Sequence, residues 1–432
     1  MEMKAIYEKI ERAFCDHSEE IVQIGEAVLK NPELGYREEK TSAYVREMLR
    51  KWNIDYTYPH ALTGVKATLK GKKSLFNVCI IGEMDAIKCA GHPHEGELSA
   101  AHACGHHAQI AAMLGAAIVL KDSGIMSELD GDVTFMAVPA EEFIELAYRD
   151  QLKKDGKITY FGGKQQLILE GAFDDVDIAM MIHAQGDEPN GKMYVRGNNL
   201  GFVAKTVTFT GKAVHGSTPY DGVNALNAAA LSILGIHANR ETFREEEKIR
   251  IHPIITKGGD VVNSVPDEVV IETYVRGATL DAIKKGCAIV ERAVSGACGM
   301  IGADYKIETV PGYLPLTESK ELSDVFEKVS EDVLGKCQIM YGEPITGSSD
   351  IGDLSHLIPT IQPSIGGFSG ALHSKEFAVS DPSVAYLKTA EILAKTAVAL
   401  LYDDAKKAAL VKNSFQEKMT KTEYIKYLNE RG

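Results

Sequence analysis

Two short motifs bring together several side chains of the types that bind metal ions. Glu83 and Asp85 follow the apolar run at residues 75–81, and Cys104 and His106 come after a short polar loop. Carboxylate, thiolate and imidazole groups are the ligands that borderline-soft divalent ions prefer in proteins. The residue types therefore predict a metal site at these two motifs.

The elements around the motifs explain how these side chains could converge. Residues 75–81 are mostly β-branched, aromatic or otherwise apolar, which predicts a buried strand. Residues 108–120 are apolar and rich in alanine, which predicts a buried helix. Cys104 and His106 would then lie at the amino end of that helix, where its dipole favours a thiolate. The alternative is a buried, unreactive cysteine beside a capping histidine.

Two further strands are predicted to end in possible ligands. Residues 132–138 run towards Glu141 and Glu142, and residues 176–182 run into His183. Two adjacent carboxylates repel each other unless they share a cation or a proton, although a solvated surface turn also tolerates them. Open α/β sheets place their ligand sites beyond the carboxyl ends of parallel strands. We therefore expect these side chains to meet in one crevice.

The composition is that of a globular protein, and it argues against several functional classes. The chain has 432 residues, of which 45% are hydrophobic and 25% charged, and its net charge is -14. This charge argues against broad contact with nucleic acid or anionic lipid. No apolar run reaches membrane-spanning length, and the charged N-terminus lacks the pattern of a signal peptide. The odd set of seven cysteines has no scaffold spacing, which predicts a cytoplasmic protein.

The pattern of elements changes between residues 198 and 311. This stretch alternates as β-α-β-β-α-β, the order of a ferredoxin-like domain, and the chain then returns to its earlier style. We therefore predict an inserted domain at residues 198–311 and a discontinuous catalytic domain at residues 1–197 and 312–432. His373 ends a glycine-rich run in the second part, where a ligand could approach a metal closely.

Taken together, the motifs resemble those of M20-type metallopeptidases and amidohydrolases. The similarity is strongest to the aminoacylase-like branch, which includes hippurate, indole-acetyl-amino-acid and aminobenzoyl-glutamate hydrolases. The matching pieces follow the family's order: residues 82–86, 102–106, 139–142, His183, 211–217, 263–267, 347–350 and 372–374. The forms at 82–86 and 347–353 lean towards the aminobenzoyl-glutamate hydrolases. One departure is His107, which stands where relatives usually have Asp or Asn.

The resemblance implies a fold and a set of site residues. The fold would be α/β, with a mixed-sheet catalytic domain of zinc-peptidase type and an inserted ferredoxin-like α+β dimerisation domain. The cofactor would be two divalent metal ions, Zn, Mn or Co. The residues implied are Cys104 as the bridging ligand, His106, Glu142, His183 and His373 as further ligands, Glu141 as general base, Asp85 as an orienting carboxylate, His215 as oxyanion donor across a dimer, and Asn263 and Arg276 for the substrate carboxylate.

The resulting hypothesis is a metal-dependent amidohydrolase that cleaves an N-acyl or aryl-amide bond to an amino acid. Alternatives are a dipeptidase or carboxypeptidase of the same family, and a non-catalytic binding relative. The presence of Glu141 beside a full ligand set favours the enzyme. We expect a small-molecule substrate and a homodimer formed through the inserted domain, with neither nucleic acid nor membrane as partner.

Overall fold

The computed structural model describes residues 3–342 and 347–430, which pack as two compact units. The first unit comprises Met1–Gly197, Thr317–Pro344 and Asp353–Lys421, and the second comprises Asn198–Leu316, Ile345–Gly352 and Thr422–Gly432. This grouping differs from the inferred domains at residues 312–316, 347–352 and 422–430, which belong to the second unit. The domain boundaries themselves stay a prediction.

The described chain contains helices and strands in alternation. The α-helices are α1 Met3–Leu29, α2 Glu39–Lys51, α3 His106–Asp122, α4 Leu146–Lys154, α5 Gly163–Glu170, α6 Ala225–Ala238, α7 Leu280–Ile301, α8 Lys320–Leu334, α9 Ile351–Ser355, α10 Thr389–Leu401, α11 Lys406–Ser414 and α12 Lys421–Asn429, with a π-helical turn at Ser383–Lys388. Short 3₁₀ helices lie at Glu97–Ser99, Ile125–Glu128, Pro219–Asp221, Asn239–Thr242, Glu245–Glu247 and Lys336–Gln338. The strands are β1 Tyr56–His60, β2 Gly64–Leu69, β3 Asn77–Glu83, β4 Ile87–Lys88, β5 Ala100–Ala101, β6 Asp132–Val138, β7 Ile178–Met180, β8 His183–Ala184, β9 Met193–Val195, β10 Gly201–Thr210, β11 Arg250–Ile251, β12 Ile254–Lys257, β13 Glu268–Gly277, β14 Asp304–Pro311, β15 Ile339–Tyr341, β16 Thr360–Ile361, β17 Ser364–Ile365, β18 Phe368–Ser369 and β19 Ala378–Val379.

The first unit is built on a six-stranded sheet in the order β1-β2-β6-β3-β7-β16. Strands β6, β3, β7 and β16 run parallel, and β2 and β1 continue the sheet antiparallel. Every residue of β3 and of β6 is buried, as expected for parallel strands covered on both faces. The predicted mixed α/β fold is therefore confirmed, and the carboxyl ends of β3, β6 and β7 lie at one edge.

Helix α3 forms the centre of the core beside this sheet. It is buried from His106 to Leu120 and packs against α1, α10 and β3. Its sequence has no polar face, so burial on all sides is the arrangement that removes its apolar surface from water. The helix predicted at residues 108–120 is thus confirmed, and it begins two residues earlier.

Apolar side chains at residues 6–28 recur at helical spacing, and an amphipathic stretch follows at residues 38–52, so the sequence predicts two opening helices. Helices α1 and α2 confirm them. One local prediction further along the chain was wrong. The stretch at residues 347–353 was expected to be a loop, but the short helix α9 begins within it at Ile351.

The second unit has an antiparallel sheet in the order β11-β13-β10-β14, with β12 also paired to β13, together with helices α6 and α7. The order of elements is β-α-β-β-α-β, so the predicted ferredoxin-like fold is confirmed. The second strand of the pattern is split into β11 and β12 at His252 and Pro253. Among the described residues, none of the helices has the length and hydropathy required to cross a membrane.

Candidate metal centre

The strand ends deliver the candidate ligands to one edge of the first unit's sheet. Glu83 is the last residue of β3, and Asp85 follows two residues later. Glu141 and Glu142 lie just beyond the end of β6 at Val138. His183 follows β7 and opens β8 in a smaller sheet. Because β3 pairs in parallel with both β6 and β7, these side chains point into one region, as expected from the sequence.

Cys104 is common to two groups of possible metal ligands. One group joins Cys104 with His106 and His183, and the other joins it with Glu142 and His373. Within each group the ligand atoms all lie within 4.8 Å of one another. The Cys104 Sγ atom is 3.5 Å from His183 Nε2 and 3.2 Å from His373 Nε2. The five residues that resemblance selected as ligands are therefore brought together.

The spacing of these atoms fits bound ions. Two atoms that bind one tetrahedral ion at about 2.0–2.3 Å lie roughly 3.3–3.6 Å apart. His373 Nε2 and Glu142 Oε1 are 3.3 Å apart, and the two sulfur–nitrogen distances are similar. Among the described residues, the buried atoms His106 Nε2 and Glu142 Oε1 have no hydrogen-bond partner. Since such atoms are costly to bury unpaired, the donor set fits a pair of divalent ions, which the two groups of residues would hold.

Burial dominates the ionisation of Cys104. The sequence predicted that the amino end of α3 would favour a thiolate, but burial and the charge of Glu142 raise the pKa of this thiol well above its usual value. Burial likewise lowers the pKa of His183. A divalent ion would reverse the balance at Cys104, since a coordinating thiol loses its proton to the metal.

Asp85 orients His106. The His106 Nδ1 atom lies 2.8 Å from the Asp85 carbonyl oxygen and 3.2 Å from its Oδ1. The second carboxylate oxygen, Oδ2, accepts a hydrogen bond of 2.9 Å from the backbone N–H of Glu142. Burial alone would raise the pKa of Asp85, but the hydrogen bond and charge of His106 hold it below its usual value. With Nδ1 engaged, Nε2 is the nitrogen that remains for a metal ion.

The turn that carries Glu141 is held by two buried ionisable side chains that the sequence analysis missed. Ala140 has a left-handed backbone with φ 54°, and its N–H donates a 2.8 Å hydrogen bond to Glu38. The guanidinium of Arg149, which is fully buried, donates to the carbonyl oxygens of Glu142 and Ala140. Glu141 itself is 7% exposed. No local signal in the sequence marks Glu38 or Arg149, because both act from other elements.

Glu83 and Lys164 form a buried ion pair beside His106. The Lys164 Nζ atom is 2.5 Å from Glu83 Oε1, and both side chains are fully buried. The other oxygen, Oε2, lies 3.2 Å from His106 Nε2, and Gln109 Nε2 donates to it over 2.8 Å. Burial alone would raise the pKa of Glu83, but the charges of Lys164 and His106 lower it. The sequence analysis noted Glu83 as a possible ligand but assigned it no role, and it missed Lys164.

His107 takes part in neither ligand group. It is buried at the start of α3, with its ring 5.6 Å from that of His102 and 5.9 Å from that of Tyr386. Burial lowers the pKa of His107 and brings that of His102 to about 3, so both imidazoles are neutral. Their ring nitrogens have no hydrogen-bond partner within the described part of the chain.

The other three predicted site residues belong to the second unit. His215 is exposed, and its Nδ1 atom is 2.7 Å from Ser217 Oγ. The carbonyl oxygen of Asn263 accepts a hydrogen bond of 2.7 Å from the N–H of Gly216. Arg276 lies on β13 and donates to Ser348 Oγ over 2.6 Å. The roles assigned to these three residues stay predictions.

The chain was compared with known families and proteins. The model of the peptidase family M20/M25/M40 matches residues 79–399. IAA-amino acid hydrolase ILR1-like 2 from Arabidopsis thaliana is 26% identical over 422 residues, which cover 92% of this chain and 89% of that protein. Thermostable carboxypeptidase 2 from Saccharolobus solfataricus is 26% identical over 394 residues, which cover 87% of this chain and 94% of that protein.

A solved structure with the same fold is a dinuclear metal-binding peptidase of family M20 from Bacillus subtilis. It superposes with a TM-score of 0.70 at 20% identity and covers 88% of this chain and 98% of its own. The relatives and the structure each span most of both chains, so the similarity includes both units.

Proposed function

The chain belongs to the peptidase family M20/M25/M40 and is a hydrolase of amide bonds, and from this premise we propose that it cleaves the amide bond of an N-acyl amino acid. The observation that carries the proposal is the convergence of two ligand groups on Cys104, with Glu141 beside them. Two divalent ions bound there would supply Lewis-acid activation of the attacking water and of the scissile carbonyl.

Each of three residues has a separate proposed role in the reaction. Glu141 accepts the proton of the attacking water and passes it to the leaving amine. Asp85 keeps His106 in the orientation and tautomer that leave Nε2 free to bind. His215 donates a hydrogen bond to the oxyanion that develops on the substrate.

The position of Glu141 beside the candidate ligands supports its assignment as the base. Its carboxylate lies within 4.8 Å of the ligand atoms of His106 and Glu83, so it is close enough to serve a water held at the same place. Glu141→Gln keeps the shape of the side chain and removes its basicity. We expect kcat to fall by about 100- to 10,000-fold while both metals stay bound.

Measurement of kcat and of metal content by elemental analysis checks this first prediction. Glu47→Gln, an exposed substitution on α2, serves as the control. Unchanged turnover in Glu141→Gln would remove Glu141 as the base.

Arg276 supports an acidic substrate. Its guanidinium lies 5.2 Å from the ring centre of Phe202 and 5.5 Å from that of Tyr274. Among the described residues, no carboxylate pairs with it, and burial lowers its pKa. An unpaired, half-buried cation of this kind suits the carboxylate that every N-acyl amino acid carries. Asn263 is proposed as a second group that holds this carboxylate.

Dipeptides or longer peptides are the second candidate substrates, because one of the similar proteins is named a carboxypeptidase. N-acyl amino acids lack a free α-amino group, whereas dipeptides present one near the scissile bond. A panel of acyl amino acids, aryl-amide amino acids and dipeptides, assayed with Zn, Mn or Co, separates the two. Absence of turnover on the whole panel would favour the non-catalytic alternative.

We further propose a homodimer formed through the second unit. Strand β12 is exposed along its length, and within the described chain it pairs only with β13. Ile254 and Ile255 on this strand are 51% and 44% exposed, and Val262 nearby is fully exposed. An uncovered strand edge with apolar side chains is a surface for pairing with a second copy. The seven free cysteines support a reducing, cytoplasmic location.

A further inference from the structure

The buried ion pair of Glu83 and Lys164 points to a sixth protein group in the metal centre. Resting on the proposed function, we propose that Glu83 contributes a carboxylate oxygen to the ion bound by His106, and that Lys164 holds this carboxylate in place. The ion near Glu142 and His373 would then be bound by fewer protein groups. It would keep the open position that activation of water requires.

The first argument is the position of the carboxylate. Glu83 Oε2 lies 3.2 Å from His106 Nε2, and Nε2 is the nitrogen left for a metal because Asp85 engages Nδ1. The 3.3 Å between His373 Nε2 and Glu142 Oε1 is nearly the same. Glu83, His106 and Glu141 also form a group whose ligand atoms all lie within 4.8 Å. An ion at His106 Nε2 is therefore within reach of Glu83.

The second argument is that the carboxylate is fixed before any ion binds. Lys164 Nζ holds Oε1 at 2.5 Å, and the amide of Gln109 donates to Oε2 over 2.8 Å. The side-chain oxygen of the same amide accepts the N–H of Glu83 at 3.2 Å. A buried carboxylate held by a cation on one side and facing a ligand nitrogen on the other is preorganised for a metal.

The competing interpretation is a structural ion pair that only joins β3 to α5. Breaking a buried pair by removing one partner destabilises a protein, whereas replacing both partners with neutral groups is often tolerated. A structural pair would therefore change stability and leave metal affinity as it was. The proposal instead requires one ion to lose affinity when the carboxylate is neutralised.

The experiment titrates the metal-free full-length protein with Zn²⁺ or Mn²⁺, in competition with a chelator. It compares the parent with Glu83→Gln/Lys164→Met, which removes both charges together. We expect one ion to bind with parental affinity and the other at least 10-fold more weakly, since groups around a metal site typically contribute about 10- to 100-fold in affinity. Glu83→Asp keeps the charge but shortens the reach, and the same selective loss is expected.

Two controls isolate the carboxylate. Lys164→Met retains the Glu83 carboxylate and removes only the group that holds it, so its selective loss of affinity should be smaller than that of Glu83→Gln/Lys164→Met. Glu391→Gln/Lys395→Met removes another buried Lys–Glu pair, 2.7 Å apart on α10, and should bind both ions normally. Parental affinity for both ions in Glu83→Gln/Lys164→Met and in Glu83→Asp would overturn the proposal. A loss of affinity in Lys164→Met equal to that in Glu83→Gln/Lys164→Met would also overturn it.

Cys104→Ser separates this inference from the proposed function. Loss of both ions in Cys104→Ser, with normal binding in the two Glu83 variants, would overturn the role of Glu83 alone. Normal binding of both ions in Cys104→Ser would overturn the metal centre itself.

Discussion

Two buried carboxyl groups, those of Glu38 and Glu83, have pKa values shifted in opposite directions. Burial, reinforced by the charge of Asp85, raises the pKa of Glu38 to about 8, whereas the charges of Lys164 and His106 hold that of Glu83 below its usual value. The two pKa shifts differ because the partners differ. Glu38 accepts hydrogen bonds from neutral groups, the Thr63 hydroxyl and the backbone N–H of Ala140, whereas Glu83 is paired with the cation of Lys164. At Glu38 these neutral donors lower the pKa less than burial and the charge of Asp85 raise it.

The raised pKa of Glu38 predicts how the stability of the fold changes with pH. Its folded pKa lies above its unfolded value, so its contribution to stability is fully present below about pH 4.5 and is lost as pH rises towards about 8. Glu38→Gln mimics the protonated form and removes this loss. We expect the Tm of the metal-free variant, relative to that of the parent, to increase from about pH 5.5 to about pH 8.

Thermal unfolding of both proteins across this pH range provides the measurement. Groups that do not interact with Glu38 titrate equally in the two proteins, so their effects cancel in the comparison. If the Tm values of the parent and of Glu38→Gln change in parallel with pH, ionisation of Glu38 does not destabilise the fold.

Arg276 gives a prediction about substrate recognition. Arg276→Ala should raise KM for an N-acyl amino acid about 10- to 100-fold, because a hydrogen bond to a charged group is lost. Hydrolysis of a matched N-acyl amine without a carboxylate should not change. Steady-state kinetics on both substrates, with exposed Arg292→Ala as the control, tests this. An equal loss on both substrates would point to a structural role.

At the scale of elements, the turn after β6 places Glu141, the proposed base. Strand β6 is continuous from Asp132 to Val138, and the chain then turns through Ala140, which has a positive φ. The buried guanidinium of Arg149 on α4 donates to the carbonyls on both sides of Glu141. The geometry of the base thus depends on a helix that lies outside the motif.

Arg149→Ala should lower kcat about 10- to 100-fold, because a displaced base loses its alignment with the water. Metal content and KM should stay close to those of the parent. Added guanidinium ion at low millimolar concentration should restore part of the activity by filling the vacated position. Arg149→Lys should restore little activity, because a single ammonium group cannot donate to both carbonyls as the planar guanidinium does. Failure of guanidinium to rescue a folded Arg149→Ala would argue against this positioning role.

At the scale of the whole molecule, a dimer would let one protomer complete the site of the other. If His215 acts across the dimer, the Glu141→Gln and His215→Ala proteins should each be inactive alone. Refolded or exchanged as a mixture, they form heterodimers in which one of the two sites has both residues. An equal mixture should recover about a quarter of parental activity.

Light scattering establishes the oligomeric state, and mass spectrometry establishes that heterodimers form in the mixture. Heterodimers without activity would show that His215 does not serve the partner's site. Two monomeric proteins in solution would remove the dimer proposal altogether.

The sequence by itself determined the local features of this protein. Strand β6 and the body of α3 were predicted within two residues, because runs of apolar side chains are visible in neighbouring positions of the sequence. The motifs also selected the candidate ligands that the structure brings together, including His373, which lies 269 residues from Cys104 in the chain and 3.2 Å from its sulfur in space.

Only the tertiary structure decided which buried ionisable groups support those candidate ligands. Lys164 meets Glu83 across 81 positions of the chain, and Glu38 meets Ala140 across 102. These pairs form only when the helices pack on the sheet. In the sequence, the residues around a buried lysine or glutamate do not distinguish it from an exposed one. The physical reason is that burial and pairing of a charge are properties of the packed interior, which no stretch of neighbouring residues specifies.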